Sequence, residues 1–419
     1  MDDVEPATVD FDPHGEAYLG DRHAAWAEMR QCPVAYSPHY GGFWVVSGYD
    51  EVARVARDDA TFSSKYGPDA PDGLDYLGIT GIPRAKGIPQ AGIAEADREV
   101  HVAVRRLLNP FLLPPAIEAL TPFMEETTTW FLDQKIADGE MDIVLDFANP
   151  VPAVATLKLI GLPCDQWAHY AEVFHGTVAY GSRTPEHRRA LSLLPEMVAG
   201  LLAAVEERKS APRGDLLTEL TRLRTEDGSP LTDQQIGSVL WNLVGGGLDT
   251  TTSLTSLALH HLAGDPDARR RLIDHPELLP AATEEYLRFF CVNETLTRTV
   301  TQDTELGGQH LRRGDYLMVS WLSANLDDAV FDRPEELVLD RAPNRHLAFG
   351  IGAHRCIGMH MARALFQIMM GEILRRIPDY RIDLEATRFY QANPELTGVV
   401  TMPAAFTPGP AVGRPDPPF

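Results

Sequence analysis

Cys356 closes the run Phe349-Gly350-Ile351-Gly352-Ala353-His354-Arg355-Cys356 and is followed by Ile357-Gly358, where a glycine-bent loop meets the start of a helix. Helix-end amides and the positive end of the helix dipole stabilise negative sulfur there, and the glycines let the backbone approach closely. The position therefore favours a thiolate, the form in which sulfur ligates a metal. The other cysteines, Cys32, Cys164 and Cys291, form no CxxC pair and read as small hydrophobes, so neither a zinc knuckle nor a disulfide framework is indicated.

A second constellation is Gly245-Gly246-Gly247-Leu248-Asp249-Thr250. Glycine inside a helix costs about 1 kcal/mol relative to alanine, so three suggest close helix packing, a kink or an opened turn. The carboxylate and hydroxyl that follow suit proton transfer. Glu285-Tyr286-Leu287-Arg288 is an ExxR pair one turn apart, and His101 and Arg105 stand four apart; either alone is a common surface pair. The GxG at Gly350 to Gly352 lacks the third glycine of a dinucleotide fingerprint, and Gly245 to Gly247 lacks the Gly-Lys-Ser/Thr of a phosphate loop.

Taken together these motifs closely resemble the cytochrome P450 family, whose signature of an aromatic, two glycines, a basic residue, the cysteine and a further glycine lies between Phe349 and Gly358. The resemblance covers nearly the whole chain, to about Thr407. It implies a single domain over 1–419, mainly α with a smaller β region, with an N-terminal extension (1–15) and a Pro-rich tail (407–419). It also implies haem b with Cys356 as the axial ligand to iron, near Phe349, Gly350, Gly358 and Gly246. His101, Arg105, Arg298 and His354 become partners for the haem propionates, which need cations with directed donors. Thr250 would hold dioxygen and Asp249 relay protons, with Thr251 and Thr252 as helix residues with back-bonded hydroxyls. Glu285, Arg288 and Arg341 become a structural triad.

The same resemblance places the substrate among the 62–96 loop, helices near 166–206, Val244, Leu248, Asn293, Thr295, Leu396 and Thr397. Where the family commonly has Pro-Val, this chain has Val292-Asn293. An unpaired amide facing an apolar chamber costs about 1–3 kcal/mol, so a polar substrate group, ordered water or a protein partner should meet Asn293. The implied activity is insertion of one oxygen atom from O2 into a medium-sized, mainly apolar organic molecule. Electrons would come from a separate ferredoxin and its NAD(P)H-dependent reductase, since no residues remain for a fused redox domain. Arg106, Arg345, Arg355 and Arg363 are candidates for docking it. A peroxide-driven peroxygenase and a non-enzymatic haem sensor or carrier are the alternatives.

These residues must be positioned by a largely helical chain. Thr232 and Gln235 form a capping-box pattern opening a helix of about 30 residues that carries the glycines. Helix-like and strand-like stretches alternate from 16 to 60, including Phe43 to Ser47. A helix around Ala281 to Phe290 precedes strand-like Leu296 to Val300 and Tyr316 to Ser320, and the last helix starts just after Cys356 and stops before Pro378. Hydrophobic residues are 44% and charged residues 23%, ordinary globular values. A net charge of −23 argues against nucleic acid and anionic lipid surfaces. With no basic leader and no uninterrupted apolar run of about 20 residues, the chain reads as cytoplasmic, without membrane insertion.

Overall fold

In the computed structural model, which describes residues 6–84, 90–181, 183–224, 228–390 and 393–419, the expected capping box is formed. The Gln235 amide donates to Thr232 Oγ1 at 3.2 Å, and the Thr232 amide donates to Gln235 Oε1 at 2.9 Å. The helix they open, Asp233–Gly264, has 32 residues and spans the molecule, about 48 Å at 1.5 Å per residue. Helical structure runs unbroken through the three glycines, so of the alternatives the opened turn does not occur. Packing explains two of them. A Cβ on Gly245 would lie 2.6 Å from the Phe174 ring, and one on Gly247 would lie 2.5 Å from Thr156 Oγ1; around Gly246 there is open space.

The apolar core falls into three clusters, two of which include this helix. One joins it to the helices Pro114–Asp133, Pro150–Ile160, Leu279–Phe290 and Met359–Arg376. A second joins it to Trp167–Ala179, Pro185–Ser210 and Leu216–Arg222. The third fills the β region, a five-stranded sheet in the order Val34–Ser37, Phe43–Val46, Tyr316–Ser320, Thr295–Val300, Phe62–Ser63. Phe43–Val46 and Tyr316–Ser320 pair parallel, and the remaining neighbours are antiparallel. The architecture is mainly α with a smaller β region, as the sequence suggested.

The ExxR pair is a buried core feature. Arg288 donates from Nε and Nη2 to the two Glu285 oxygens at 2.8 Å each, and Arg341 Nε reaches both at 3.0 Å. Asn344 and the Val338 amide complete the carboxylate's partners. The triad thus fastens the helix Leu279–Phe290 to the segment leading into the Cys356 loop.

Within the 62–96 loop lie short strands at Phe62–Ser63, Tyr66–Gly67 and Tyr76–Leu77 and a turn at Gly92–Glu95; 85–89 of this loop and 1–5 of the N-terminal extension fall outside the described residues. The tail from Thr407 is extended, with the Val412 and Gly413 amides donating to Asp133 and Phe419 stacked on Phe131. One described stretch, Ile143–Ile160, has the length and apolarity of a membrane span, and 78% of it is buried in the protein core.

Candidate active site

The Cys356 loop is held by its own backbone: the Gly350 amide donates to Leu347 O at 2.7 Å and the Cys356 amide to Phe349 O at 2.8 Å. Gly352, at φ 80°, lies against the end of the helix Tyr49–Arg57, where a Cβ would come within 2.4 Å of Ala56 O. Glycine alone satisfies both the left-handed backbone and the close approach. The loop turns Cys356 onto an internal cavity of about 310 Å³. The residue's accessible surface opens onto that cavity, while the surrounding protein desolvates the thiol and pushes its pKa up, against the Gly358 amide and the charges of Arg105, Arg363 and Arg355.

Beside Cys356 the cavity is lined by His101, Arg105, Arg298 and His354. The His101 and His354 rings lie 4.2 Å apart, and His101 Nδ1 and His354 Nε2 are buried with no hydrogen-bond partner among the described residues. Burial and the nearby Arg298, His101 and Arg105 push His354 down to about 3. Burial likewise lowers Arg298 to about 10, against the pull of Asp97. Asp97 Oδ1 is 3.9 Å from His354 Nε2, beyond hydrogen-bond reach, and its carboxylate accepts from Ser63 Oγ and the Ser64 amide. Two arginines and two imidazoles that burial keeps neutral thus share one wall, a set of hydrogen-bond donors that suits an anion entering the cavity.

The long helix supplies the facing wall through Asn242, Leu243, Gly246, Gly247, Thr250, Thr251 and Leu254, adjacent pairs that recur every four residues along one broad helix face. Thr250 Oγ1 donates to Gly246 O at 2.9 Å. Asp249, one residue away, points elsewhere: it is buried, with Oδ1 2.7 Å from His175 Nδ1 and Oδ2 accepting from the Tyr390 hydroxyl.

A family model described as Cytochrome P450 matches residues 271–378, which include the ExxR helix and the Cys356 loop. The epothilone C/D epoxidase of Sorangium cellulosum is 28% identical, with 98% of each chain covered. The mycinamicin IV hydroxylase/epoxidase of Micromonospora griseorubida is also 28% identical, over 97% of this chain and 100% of the relative. Among solved structures, Mycobacterium marinum CYP268A2 in complex with pseudoionone superposes with a TM-score of 0.84 at 25% identity, over 96% of this chain and 100% of that one. The chain belongs to the cytochrome P450 family. With relatives named as monooxygenases, hydroxylases and epoxidases, this P450 is an oxidoreductase of the monooxygenase class.

The P450 family implies haem ligated by a cysteine thiolate, and the residues here fit such a group. A sulfur, two orphaned imidazole nitrogens and two arginines converge on one cavity, whose further wall includes Phe349, Gly350, Gly358 and the open side of Gly246. The expected substrate residues divide. Asn293 lines the cavity and its Oδ1 is buried without a partner among the described residues, whereas Val244 and Leu248 point from the opposite face of the long helix into the core against neighbouring helices. Thr295 is buried beside the wall rather than on it, and its place is taken by Leu296. Leu396 bridges to Asn293 and the Thr397 amide donates to Val292 O, so this turn braces Asn293 from behind. No described residue between Ile160 and Asn242 lines the cavity; in this stretch Phe174 lies over Gly245 and packs against Trp241 with tilted rings 4.6 Å apart.

Thr252 is back-bonded as expected, to Leu248 O, but Thr251 is on the cavity wall. Thr156, Asn242, His175 and Tyr390 were not foreseen. The first two are single polar positions in helical sequence, and the last two meet Asp249 across 74 and 141 residues, so no local pattern could mark them.

Proposed function

We propose that this monooxygenase inserts one atom of O2 into a medium-sized, mainly apolar organic substrate at a haem b held by Cys356. The observation that carries the reading is the convergence on one cavity of the Cys356 sulfur and the cluster His101, Arg105, Arg298 and His354, two of whose ring nitrogens lack partners among the described residues. When bound, thiolate-ligated haem supplies dioxygen activation, the thiolate donating electron density that favours O–O cleavage.

The chain's own residues do the rest. Arg105 and Arg298, with His101 and His354, would bind the two propionates and in doing so meet their own unmet hydrogen-bonding demand. Thr250 commits its hydroxyl proton to Gly246 O and keeps lone pairs at the cavity wall, where they can receive a proton or a hydrogen bond. Asp249 is the acid of the pair. Ile79, Ile93, Leu243, Leu254, Leu287 and Leu296 make the chamber mainly apolar and exclude water, while Asn293 Oδ1 presents a single acceptor for a hydroxyl or amine of the substrate.

Electrons would come from a separate ferredoxin with its NAD(P)H-dependent reductase, docking near Cys356. Arg106, Arg345 and Arg355 are exposed there. Arg363 is spent within the protein, gripping Glu284 with two hydrogen bonds of 2.6 Å and lying over the Phe349 ring.

The test is the absorption spectrum of the reduced protein under carbon monoxide, for wild type and Cys356→His. A strongly red-shifted Soret band that the substitution abolishes is expected; its absence from haem-replete wild type would overturn thiolate ligation.

A further inference from the structure

The two nitrogens of His175 both face acceptors. Nε2 lies 3.1 Å from the Val400 carbonyl, which only accepts, so Nε2 must carry a hydrogen. Nδ1 lies 2.7 Å from Asp249 Oδ1. If Asp249 is ionised, Nδ1 also carries a hydrogen and the ring is an imidazolium. The other carboxylate oxygen accepts from Tyr390, whose hydroxyl is also 3.1 Å from Ser253 Oγ. Both His175 and Asp249 are buried, with side chains 6% and 8% exposed.

We infer that His175 is the positioning residue for Asp249, holding at Nδ1 a proton on which that carboxylate draws and, with Tyr390, fixing it behind the cavity wall. The inference rests on the proposed role of Asp249 as the proton-relaying acid. In the step it describes, the N–H bond at His175 Nδ1 breaks as an O–H bond forms at Asp249 Oδ1. The proton passes on toward Thr250, and bulk water replaces it on His175. Asp249 starts on the far side of the wall from Thr250, so its carboxyl must turn for the transfer, and its two anchors set how readily it does.

The groups facing the pair fit this. Desolvation would lower the His175 pKa, but the charge and hydrogen bond of Asp249, the Val400 carbonyl and the more distant Asp142 together raise it. Burial, then Asp249, holds Tyr390 well above its ordinary value, so it stays a donor. Tyr180, with its ring 6.5 Å from that of His175, and Ser253 complete the surroundings. A raised histidine keeps its proton at neutral pH and loses it as the pH rises through the raised value, so the supply fails on the alkaline side.

Two readouts test this on holoenzyme, with an unaltered carbon monoxide spectrum as the control for folding. The first is nitrogen NMR of histidine-labelled, reduced, carbon monoxide-bound protein. We expect both His175 nitrogens protonated at pH 7, a midpoint above that of an ordinary histidine, and a lower midpoint in Asp249→Asn. An unprotonated Nδ1 at pH 7 overturns the inference.

The second is NADPH oxidation through a surrogate ferredoxin and reductase across pH. His175→Gln should run several-fold slower at pH 7 and lose the alkaline limb seen in wild type. A uniform slowing with the wild-type profile would mean a purely structural role and overturn the inference. If Asp249→Asn itself oxidises NADPH like wild type, the acid reading fails; if it is slow while His175→Gln matches wild type, only the inference about His175 fails.

Discussion

Two walls of one cavity are built on opposite logics. The Cys356 wall is a loop, so a run of neighbouring residues can all face the cavity; Phe349 to Gly358 do so with no gap except Gly352 and Ala353. The facing wall is a helix, where neighbours in sequence diverge by roughly 100°. Thr250 is therefore on the wall while Asp249 is buried behind it, and Gly246 and Gly247 reach the cavity, the second also against Thr156, while Gly245 presses on Phe174. A contiguous motif means shared direction in the first case and divergent roles in the second.

The largest effect should come from breaking what holds the loop wall in register. Glu285→Ala would leave Arg288, fully buried, and Arg341, nearly so, without their carboxylate. Removing one partner of a buried ion pair typically costs about 3–5 kcal/mol. Urea unfolding followed by circular dichroism should show a loss of that order, together with poor haem retention. A loss below about 1 kcal/mol, the range of an exposed pair, would mean that the triad does not hold this wall.

Adjacent glycines on the helix wall sharpen the contrast. Gly247→Val forces a Cβ toward Thr156 and should destabilise by about 1–3 kcal/mol, as overpacking does. Gly246→Ala meets no protein atom within 4 Å and should raise the stability of the haem-free protein by up to about 1 kcal/mol through helix propensity, while its methyl narrows the cavity and weakens haem uptake. Equal effects of the two substitutions on unfolding would show that the Thr156 contact does not set Gly247 apart from Gly246.

This difference also governs what the sequence made legible. The capping box at Thr232 and Gln235, the ExxR helix and the cysteine loop are local patterns, and each appears where its spacing put it. Val244 and Leu248 were expected on the wall from the family resemblance, yet the helical repeat turns them into the core. The long helix does not open at its glycines because small residues there admit neighbouring side chains, a reason that lies in Phe174 and Thr156, distant in sequence. His175 and Tyr390 belong to the same class: their significance comes from tertiary contact with Asp249 alone.

Asn293 joins the two logics, since a braced turn puts one polar atom onto an apolar chamber. Its Oδ1 has no partner among the described residues, so a substrate bearing a donor should fill it, and Asn293→Val should weaken that substrate by about 1–3 kcal/mol, or roughly 5- to 150-fold in Kd. Spin-state titration measures this directly. Unchanged affinity for a donor-bearing substrate, with unchanged haem content, would remove Asn293 from recognition.

The smallest expected effect separates free charge from committed charge around Cys356. Arg106 and Arg355 are exposed, while Arg363 and His346 donate to Glu284 and, against a burial that would raise it, hold that carboxyl down at about 2. Charge reversal at Arg106 and Arg355 should slow reduction by an acidic ferredoxin several-fold at low salt. The difference should fade near 0.15 M, where the screening length is about 8 Å. Arg363→Ala should behave differently: stranding Glu284 lowers stability at every ionic strength, and the salt dependence of reduction stays that of wild type. If Arg363→Ala instead reproduces the salt-dependent defect while Arg106→Glu and Arg355→Glu do not, the docking charge is the one already engaged by Glu284, and the exposed arginines are solvated bystanders on a protein of net charge −23.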